Sequence, residues 1–173
     1  MAKVLIPPAY NDVAGPLIFL AGPIQGAPHW HQEAIALIGD ASGFQIASPR
    51  RPETGGKDYP EEVYQEQIAW EHFHLARAAQ NGVTLFWLAR EMVHQCDRAY
   101  AQTTRFELGE AVTLHQWKGI KVVVGLEAGF SNARYLRATI TRKAPGIPLC
   151  STLAETCEQA VRLAVSPSVS KSL

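Results

Sequence analysis

The chain has 173 residues, a length typical of a single domain. Hydrophobic residues make up 47% of it and charged residues 18%, which is enough apolar material for a core and excludes a wholly disordered chain. Sixteen basic and sixteen acidic residues give a formal net charge of zero. A protein that coats a nucleic-acid polymer or a membrane surface is therefore not expected, because both usually carry a basic excess.

The first part of the sequence predicts short buried strands separated by a helix and a loop. Residues 16–23 (PLIFLAGP) form an apolar run that does not alternate with polar residues, which is typical of a strand buried on both faces. Helical spacing follows over residues 29–42, and Gly43 is the expected end of that helix. A second strand is predicted over 44–48, and the Pro- and Gly-rich residues 49–59 predict a loop.

The rest of the chain continues to alternate between helices and strands. Its longest helix is predicted to begin at Pro60, since proline and the two glutamates after it suit a first turn, and to extend to about Gln80. In the last helix, Thr152 and Glu155 have the spacing of a capping box. The remaining predicted strands are 83–88, 120–124 and 147–150, and the remaining helices are 104–117, 131–143 and 152–165.

Strands that alternate with helices indicate a parallel sheet covered by helices on both faces. The five strands predict an α/β, flavodoxin-like, doubly wound sheet in a single domain over 1–165, followed by a Ser-rich, flexible tail over 166–173. Ligands bind beyond the carboxyl ends of the strands in such sheets. The loops after the first four strands are therefore the expected place for a site.

The protein is expected to be soluble and cytoplasmic. The longest apolar run is far shorter than the roughly 20 residues of a membrane span, and no secretory signal is expected at the N-terminus. The three cysteines, Cys96, Cys150 and Cys157, have no pattern that predicts a disulfide framework or a zinc ribbon. No metal site is predicted, because the histidine pairs 29/31 and 72/74 would point to different sides of a helix.

Glu71 is out of place on the long helix. The apolar residues that share one side of this helix are Tyr64, Ile68, Leu75 and Ala78. Glu71 falls within the same stripe, where a carboxylate costs several kcal/mol unless it is paired or its pKa rises. Glu71 is therefore a candidate functional acid. The alternative is a structural carboxylate that reaches solvent or pairs with an arginine such as Arg77 or Arg105.

Glu107 is the second candidate. It follows Thr104 at the spacing of a capping box, so one interpretation is that it only caps its helix. The other is that this helix starts at the ligand edge of the sheet, where backbone N–H groups would stabilise Glu107 as a nucleophilic anion. Two carboxylates that meet in one cleft could cleave a glycosidic bond, one as nucleophile and the other as acid or base.

Other residues could contact a ligand at the same edge of the sheet. The segment Gly22–Gly26 is a glycine loop that lacks both the dinucleotide-binding and the P-loop motif, yet it could bring backbone N–H groups close to a ligand. Arg50, Arg51 and Arg105 fall in loop or cleft-edge positions, where they could hold a phosphate or a carboxylate. The alternative is that these arginines are solvated surface side chains.

Three segments occur in order along the chain: Phe19-Leu-Ala-Gly-Pro23 after the first strand, Gln67-Ile-Ala-Trp-Glu71 on the long helix, and Arg105-Phe-Glu-Leu-Gly-Glu-Ala111 opening the next helix. Together they resemble the nucleoside 2-deoxyribosyltransferase family and its nucleoside 5′-monophosphate N-glycosidase relatives. The resemblance covers about residues 16–125, at roughly the spacing of the family.

The resemblance implies a flavodoxin-like fold, no metal or organic cofactor, and a homodimer or larger homo-oligomer. Glu107 matches the glutamate that attacks the anomeric carbon and forms a covalent glycosyl-enzyme, which is then released to a new base or to water. Glu71 matches the acidic residue that assists at the leaving base, where relatives usually carry Asp. The substrate-binding candidates are Gly22, Pro23, Ile24, Trp30, Arg105 and Arg50.

The chain departs from the family pattern at three places that concern the site. The stretch before the nucleophile is Gln102-Thr-Thr-Arg105, where the family usually reads like Ser-Gly-Thr. Phe19 stands where many transferases have a Tyr whose hydroxyl orients the nucleophile, and Tyr100 or Tyr59 could replace it. The Asp that commonly follows the third strand has only Glu91 and Asp97 as counterparts.

The sequence thus predicts an enzyme that cleaves or transfers the N-glycosidic bond of a small-molecule nucleoside or nucleotide. Neither a nucleic-acid polymer nor a membrane is an expected partner. One alternative is a nucleoside 5′-monophosphate N-glycosidase, in which arginines would hold the phosphate. Another is a non-catalytic nucleotide-binding module, in which Glu107 would only cap its helix.

Overall fold

A computed structural model describes residues 2–10, 15–39, 43–52 and 60–166 of the chain. Within these ranges it contains six strands and five helices. The strands are β1 (Lys3–Leu5), β2 (Leu17–Ala21), β3 (Gln45–Ala47), β4 (Gly82–Leu88), β5 (Val122–Leu126) and β6 (Leu149–Cys150). The helices are α1 (Trp30–Ile38), α2 (Glu61–Asn81), α3 (Gln102–Lys118), α4 (Ala133–Lys143) and α5 (Leu153–Val165). Apart from Ser166, the predicted tail lies outside the described residues.

All neighbouring strands pair in parallel, in the order β1-β3-β2-β4-β5-β6. The five predicted strands are β2 to β6, and their order is that of a flavodoxin-like, doubly wound sheet, so the predicted fold class is confirmed. The predicted number of strands was wrong, because β1 adds an edge strand beside β3. Its three residues are too few for a hydrophobic pattern to distinguish a strand from a loop.

The two central strands, β2 and β4, are buried at every residue, which explains why their sequences do not alternate. Helices α2, α3 and α4 cover one face of the sheet, where Trp70, Leu108 and Ile140 belong to one apolar cluster. Helices α1 and α5 cover the other face, with Ile38 and Ala160 in a second cluster. Burying one large apolar side chain contributes roughly 1.5–3 kcal/mol, so these clusters fix the helices that carry the site.

The ends of α1 differ from the prediction. The helix ends at Ile38 rather than near Gly43, and residues 40–42 between them lie outside the described ranges. The C-cap residue of α1 is Gly39, which has a right-handed helical conformation. The predicted glycine C-cap at Gly43 is therefore wrong. None of the helices in the described ranges is both long and apolar enough to cross a membrane.

The start of α3 overturns the capping interpretation of Glu107. The helix begins directly after Ala101, which adopts a left-handed conformation with φ 56°, so Thr104 lies inside the first turn and is buried. A capping box is present instead where it was predicted in α5, and the Glu155 N–H donates to Thr152 Oγ1 over 3.2 Å. Glu107 is therefore a helical residue with no capping role.

Candidate active site

A cavity of about 450 Å³ lies beyond the carboxyl ends of β2 and β4. Its walls are the loop after β2, one side of α2, the loop after β4 and the first two turns of α3. The chain leaves β2 towards β3 on one side and continues from β4 towards β5 on the other, so this is the switch point of the sheet. Both the position and the volume are those of a small-molecule site.

Two carboxyls, those of Glu71 on α2 and Glu107 on α3, line this cavity. Burial raises the pKa of Glu107 to about 7, and the charges of Glu71 and Glu110 add to the rise. Burial also raises the pKa of Glu71, while a hydrogen bond from Gln67 and the charge of His72 act in the opposite direction. Both side chains line the same cavity, where the charge of Glu71 disfavours the ionised form of Glu107.

Because burial raises the pKa of both carboxyls, each of them keeps its proton to a higher pH than an exposed glutamate does. Nucleophilic attack at a glycosidic carbon needs one ionised and one protonated carboxyl in the same cleft. Electrostatics alone does not distinguish the two roles, and the assignment of Glu107 as the nucleophile comes from the Arg-Phe-Glu-Leu-Gly resemblance.

Glu71 has an amide as its hydrogen-bond partner, not the Arg105 considered from the sequence. Gln67, one turn earlier on α2, donates through Nε2 to Glu71 Oε1 over 2.8 Å. Arg105 instead donates to the carbonyl oxygen and the hydroxyl of Ser131, over 3.0 and 2.6 Å. Because an amide carries no charge, it stabilises the ionised form of Glu71 less than an arginine would, and the carboxyl keeps its ability to exchange a proton.

Gly22, at the start of the loop after β2, is required by the packing behind that loop. A Cβ at this position would lie 2.4 Å from the carbonyl oxygen of Trp87 and 2.6 Å from the indole ring of Trp30. Trp30 also donates through Nε1 to the carbonyl oxygen of Pro23 over 2.9 Å. Glycine is therefore the residue that lets this wall of the cavity lie directly on β4 and Trp30.

The loop after β4 forms the facing wall and is tied to the first one. The N–H groups of Met92 and Val93 both donate to the carbonyl oxygen of Gly26, over 2.7 and 3.1 Å. The hydroxyl of Tyr100 donates to the carbonyl oxygen of Ala89 over 2.7 Å, and burial raises the pKa of that hydroxyl. The two bonds to Gly26 connect the two walls of the cavity, and the bond from Tyr100 to Ala89 holds the loop after β4 together.

The predicted substrate-binding residues that line the cavity are Gly22, Pro23 and Ile24. The other predicted substrate-binding residues, Trp30, Arg50 and Arg105, lie outside this lining. Trp30 is 2% exposed and packs behind the loop. Arg50 contacts the carbonyl oxygen of Ile24 at 3.5 Å and the ring of His29 at 3.1 Å, and Arg105 lies over the ring of Phe130, 4.6 Å from its centroid.

Two cavity-lining side chains, Tyr64 and Arg98, were missed by the sequence analysis. Tyr64 was assigned to the apolar stripe of α2, yet it is 50% exposed and lies at the cavity. An aromatic residue two turns before Glu71 on the same side of a helix was the signal that could have found it. Arg98 lies in an irregular loop, and no local pattern marks an arginine there as facing a cavity.

The residues at which the chain departs from the family pattern are also placed by the structure. Phe19 lines the cavity and its ring lies 6.2 Å from that of Trp70. Of its possible replacements, Tyr100 lines the cavity with its hydroxyl on Ala89, whereas Tyr59 lies outside the described residues.

Of the two counterparts of the family Asp, Glu91 lines the cavity and Asp97 does not. Glu91 Oε1 lies 2.9 Å from Nδ1 of the exposed His94. Across the described ranges, no group of three or more His, Cys, Asp or Glu side chains is arranged to hold a metal ion.

Comparison with known families agrees with the motifs. A family model described as nucleoside 2-deoxyribosyltransferase like matches residues 15–130. No curated protein matches the sequence. The matched region extends from just before β2 to just after β5, and it contains the glycine loop, Glu71 and Glu107. The chain therefore belongs to the nucleoside 2-deoxyribosyltransferase-like family.

Proposed function

We propose that the protein is an enzyme that cleaves or transfers the N-glycosidic bond of a (deoxy)ribonucleoside through a covalent glycosyl-glutamate intermediate. Its family supports an activity of this class. The observation that carries the proposal is that Glu71 and Glu107 line one cavity with raised pKa values. A module that only bound nucleotides would gain nothing from burying two acidic groups, because each buried carboxylate costs stability.

The proposed reaction has two displacements. In the first, a carboxylate oxygen of Glu107 bonds to the anomeric carbon C1′ while the C1′–N bond breaks, and the bonding electrons leave with the base. The leaving base takes the proton of Glu71. In the second, Glu71 accepts a proton from an incoming base or water, which bonds to C1′ and displaces Glu107. Two displacements at one carbon retain its configuration.

A chromatographic assay with a panel of nucleosides and nucleoside 5′-monophosphates tests this proposal, with and without a free acceptor base. Exchanged bases identify a transferase, and free base with free sugar identifies a hydrolase. We expect Glu107→Gln to lower kcat by at least about 10³-fold, because the nucleophile is lost. Glu158→Gln, which changes an exposed glutamate on α5, is the matched control and should leave turnover unchanged. Binding without turnover, or turnover unaffected by Glu107→Gln, would show that this mechanism is wrong.

The same experiment can assign the two carboxyl roles. A 2-deoxy-2-fluoro nucleoside with a good leaving base should let the covalent intermediate accumulate. Fluorine destabilises the oxocarbenium-like transition state of both displacements, and the good leaving group restores the rate of the first one alone. We expect mass spectrometry to find the sugar on the peptide that contains Glu107. A sugar on the peptide that contains Glu71 would reverse the assigned roles.

Arg98 favours a second candidate function, the hydrolysis of nucleoside 5′-monophosphates. Among the described residues, Arg98 is the one arginine that lines the cavity, and its guanidinium forms no ion pair with another described side chain. A phosphate is the substrate group that such a cation would bind best.

Under this second candidate, Arg98→Gln should raise KM for a 5′-monophosphate by about 10- to 100-fold, since charge-assisted hydrogen bonds to the phosphate are lost. KM for the corresponding nucleoside should stay the same. Arg162→Gln, on an exposed arginine of α5, controls for the change in net charge. An equal effect of Arg98→Gln on both substrates would argue against a phosphate at Arg98.

A further inference from the structure

Gln67 occupies a position between the surface of the protein and Glu71. Its Nε2 donates both hydrogens, one to Glu71 Oε1 over 2.8 Å and one to the carbonyl oxygen of Pro49 over 2.9 Å. Its Oε1 accepts from Arg51 Nε over 2.9 Å. Since Arg51 can only donate and the carbonyl oxygen of Pro49 can only accept, these partners fix which way the amide points.

Arg51, which donates to Gln67, is itself held by a second partner. Arg51 Nη2 donates to Glu66 Oε1 over 2.5 Å, and the side chains of Arg51 and Glu66 are 18% and 42% exposed. A continuous chain of hydrogen bonds therefore connects Glu66, Arg51, Gln67 and Glu71, from the surface to the cavity. The chain also ties the segment after β3 to α2, so that two separate elements determine where the amide lies.

The amide acts on one oxygen of Glu71. Within the described part of the chain, Glu71 Oε1 accepts from Gln67, and no hydrogen bond is formed by Oε2. An N–H donor stabilises the ionised carboxylate, whereas burial destabilises it, so Gln67 opposes the effect of burial on the pKa of Glu71.

Other charged and titratable groups face Glu71 from the elements packed around it. From α3 there is Glu107, and from the loop after β4 there are Glu91, Arg98 and Tyr100. On α2 itself, His72 favours the ionised form of Glu71. In the described ranges none of these groups forms a hydrogen bond with Glu71, whereas Gln67 does.

We propose that Gln67 is a positioning residue for Glu71, anchored by Arg51 and Pro49 so that it holds one carboxyl oxygen and leaves the other to exchange a proton with the substrate. This inference rests on the proposed function for the identity of the reacting group. The hydrogen-bonded chain on which it depends is present whatever the substrate.

Gln67→Met tests the proposal, because methionine keeps the length of the side chain and removes the amide. We expect kcat to fall about 10- to 100-fold, because a misplaced acid transfers its proton poorly, while KM stays within about twofold. The basic limb of the kcat/KM profile should move to higher pH, because removal of the donor destabilises the ionised form of Glu71 and so raises the pKa of this acid. A purely structural role would lower activity without moving that limb.

Gln65→Met is a matched control, because Gln65 lies on the same helix and donates to Glu61 over 2.7 Å, outside the cavity lining. It should change neither kcat nor the pH profile. Arg51→Met, which frees the amide without touching Glu71, should give a smaller shift in the same direction as Gln67→Met. It keeps the proposal testable if Gln67→Met does not fold.

A titration of the Glu71 carboxyl carbon by NMR separates this inference from the proposed function, because it needs no substrate. We expect its midpoint to rise by about one pH unit in Gln67→Met and to stay unchanged in Gln65→Met. An unchanged midpoint in both Gln67→Met and Arg51→Met would overturn the role of Gln67, even in an active enzyme. Absence of turnover in the wild type would overturn the proposed function and leave the titration to decide on Gln67.

Discussion

The pKa of Glu107, raised to about 7, links the chemistry of the site to the stability of the fold. A carboxyl with a pKa of 4.5 in the unfolded chain and about 7 in the native state binds more protons when folded between those pH values. The free energy of unfolding therefore falls as pH rises through this window and stays at the lower value above it. Below pH 4.5 both states are protonated, so Glu107 has no effect there.

At pH 8, Glu107→Gln should therefore be more stable than the wild type, because a neutral amide replaces an ionised carboxylate in a buried site. We expect a gain of roughly 1–3 kcal/mol in the free energy of unfolding at pH 8 and little difference at pH 4. Urea denaturation at both pH values measures this. Glu158→Gln, on the exposed face of α5, should show no such dependence. A variant less stable than the wild type at pH 8 would contradict the raised pKa.

At the scale of helices and strands, the sequence predicts best those elements whose pattern of apolar residues reflects their burial. The apolar runs of β2 and β4 marked the two central strands because both of their faces are covered. The predicted stripe on α2 led to Glu71, although the residues of this helix that the structure buries are Trp70, His74 and Ala78, and Tyr64 of the stripe is exposed. The alternation of strands with helices predicted the parallel sheet, and the flavodoxin-like class then predicted the order of its strands.

Other features depend on contacts that no local pattern records. The start of α3 depends on the left-handed backbone of Ala101, next to Tyr100, whose hydroxyl is held by Ala89. The Thr-x-x-Glu motif therefore pointed to the wrong first turn. Trp30 was a substrate-binding candidate, and the structure places its indole behind the loop after β2, where it donates to the carbonyl oxygen of Pro23. The place of Arg98 at the cavity depends on the path of an irregular loop.

At the scale of the whole molecule, one feature concerns assembly: no element of the described chain packs against the outer side of α3. Phe106 is 76% exposed and Trp117 is 80% exposed, and eleven residues, or about three helical turns, place them on the same side. Between them, Gly109 is exposed, and a Cβ there would have no atom within 4 Å. An interior helix glycine costs roughly 1 kcal/mol relative to alanine, and packing among the residues that the structure describes does not account for Gly109.

We propose that this side of α3 contacts a second copy of the chain, as the expected homodimer requires. In an isologous pair with antiparallel α3 helices, Phe106 would lie opposite Trp117 of the partner subunit, and the twofold axis would pass between residues 111 and 112. Gly109 would then lie within one helical turn of the axis, where the absence of a side chain lets the helices approach closely. The site would then lie close to the interface, because Glu107 follows Phe106 directly.

The wild type should therefore be a dimer, and the double variant Phe106→Ser/Trp117→Ser should be a monomer. The reason is that a few large buried side chains supply most of the binding energy of an interface, and this variant removes two of them. Sedimentation velocity over a range of protein concentrations measures the mass in solution. Leu37→Ser is the control, since it removes an exposed apolar side chain (47% exposed) from α1 on the opposite face of the sheet. A wild type that stays monomeric, or a double variant that stays dimeric, would show that α3 is not the interface.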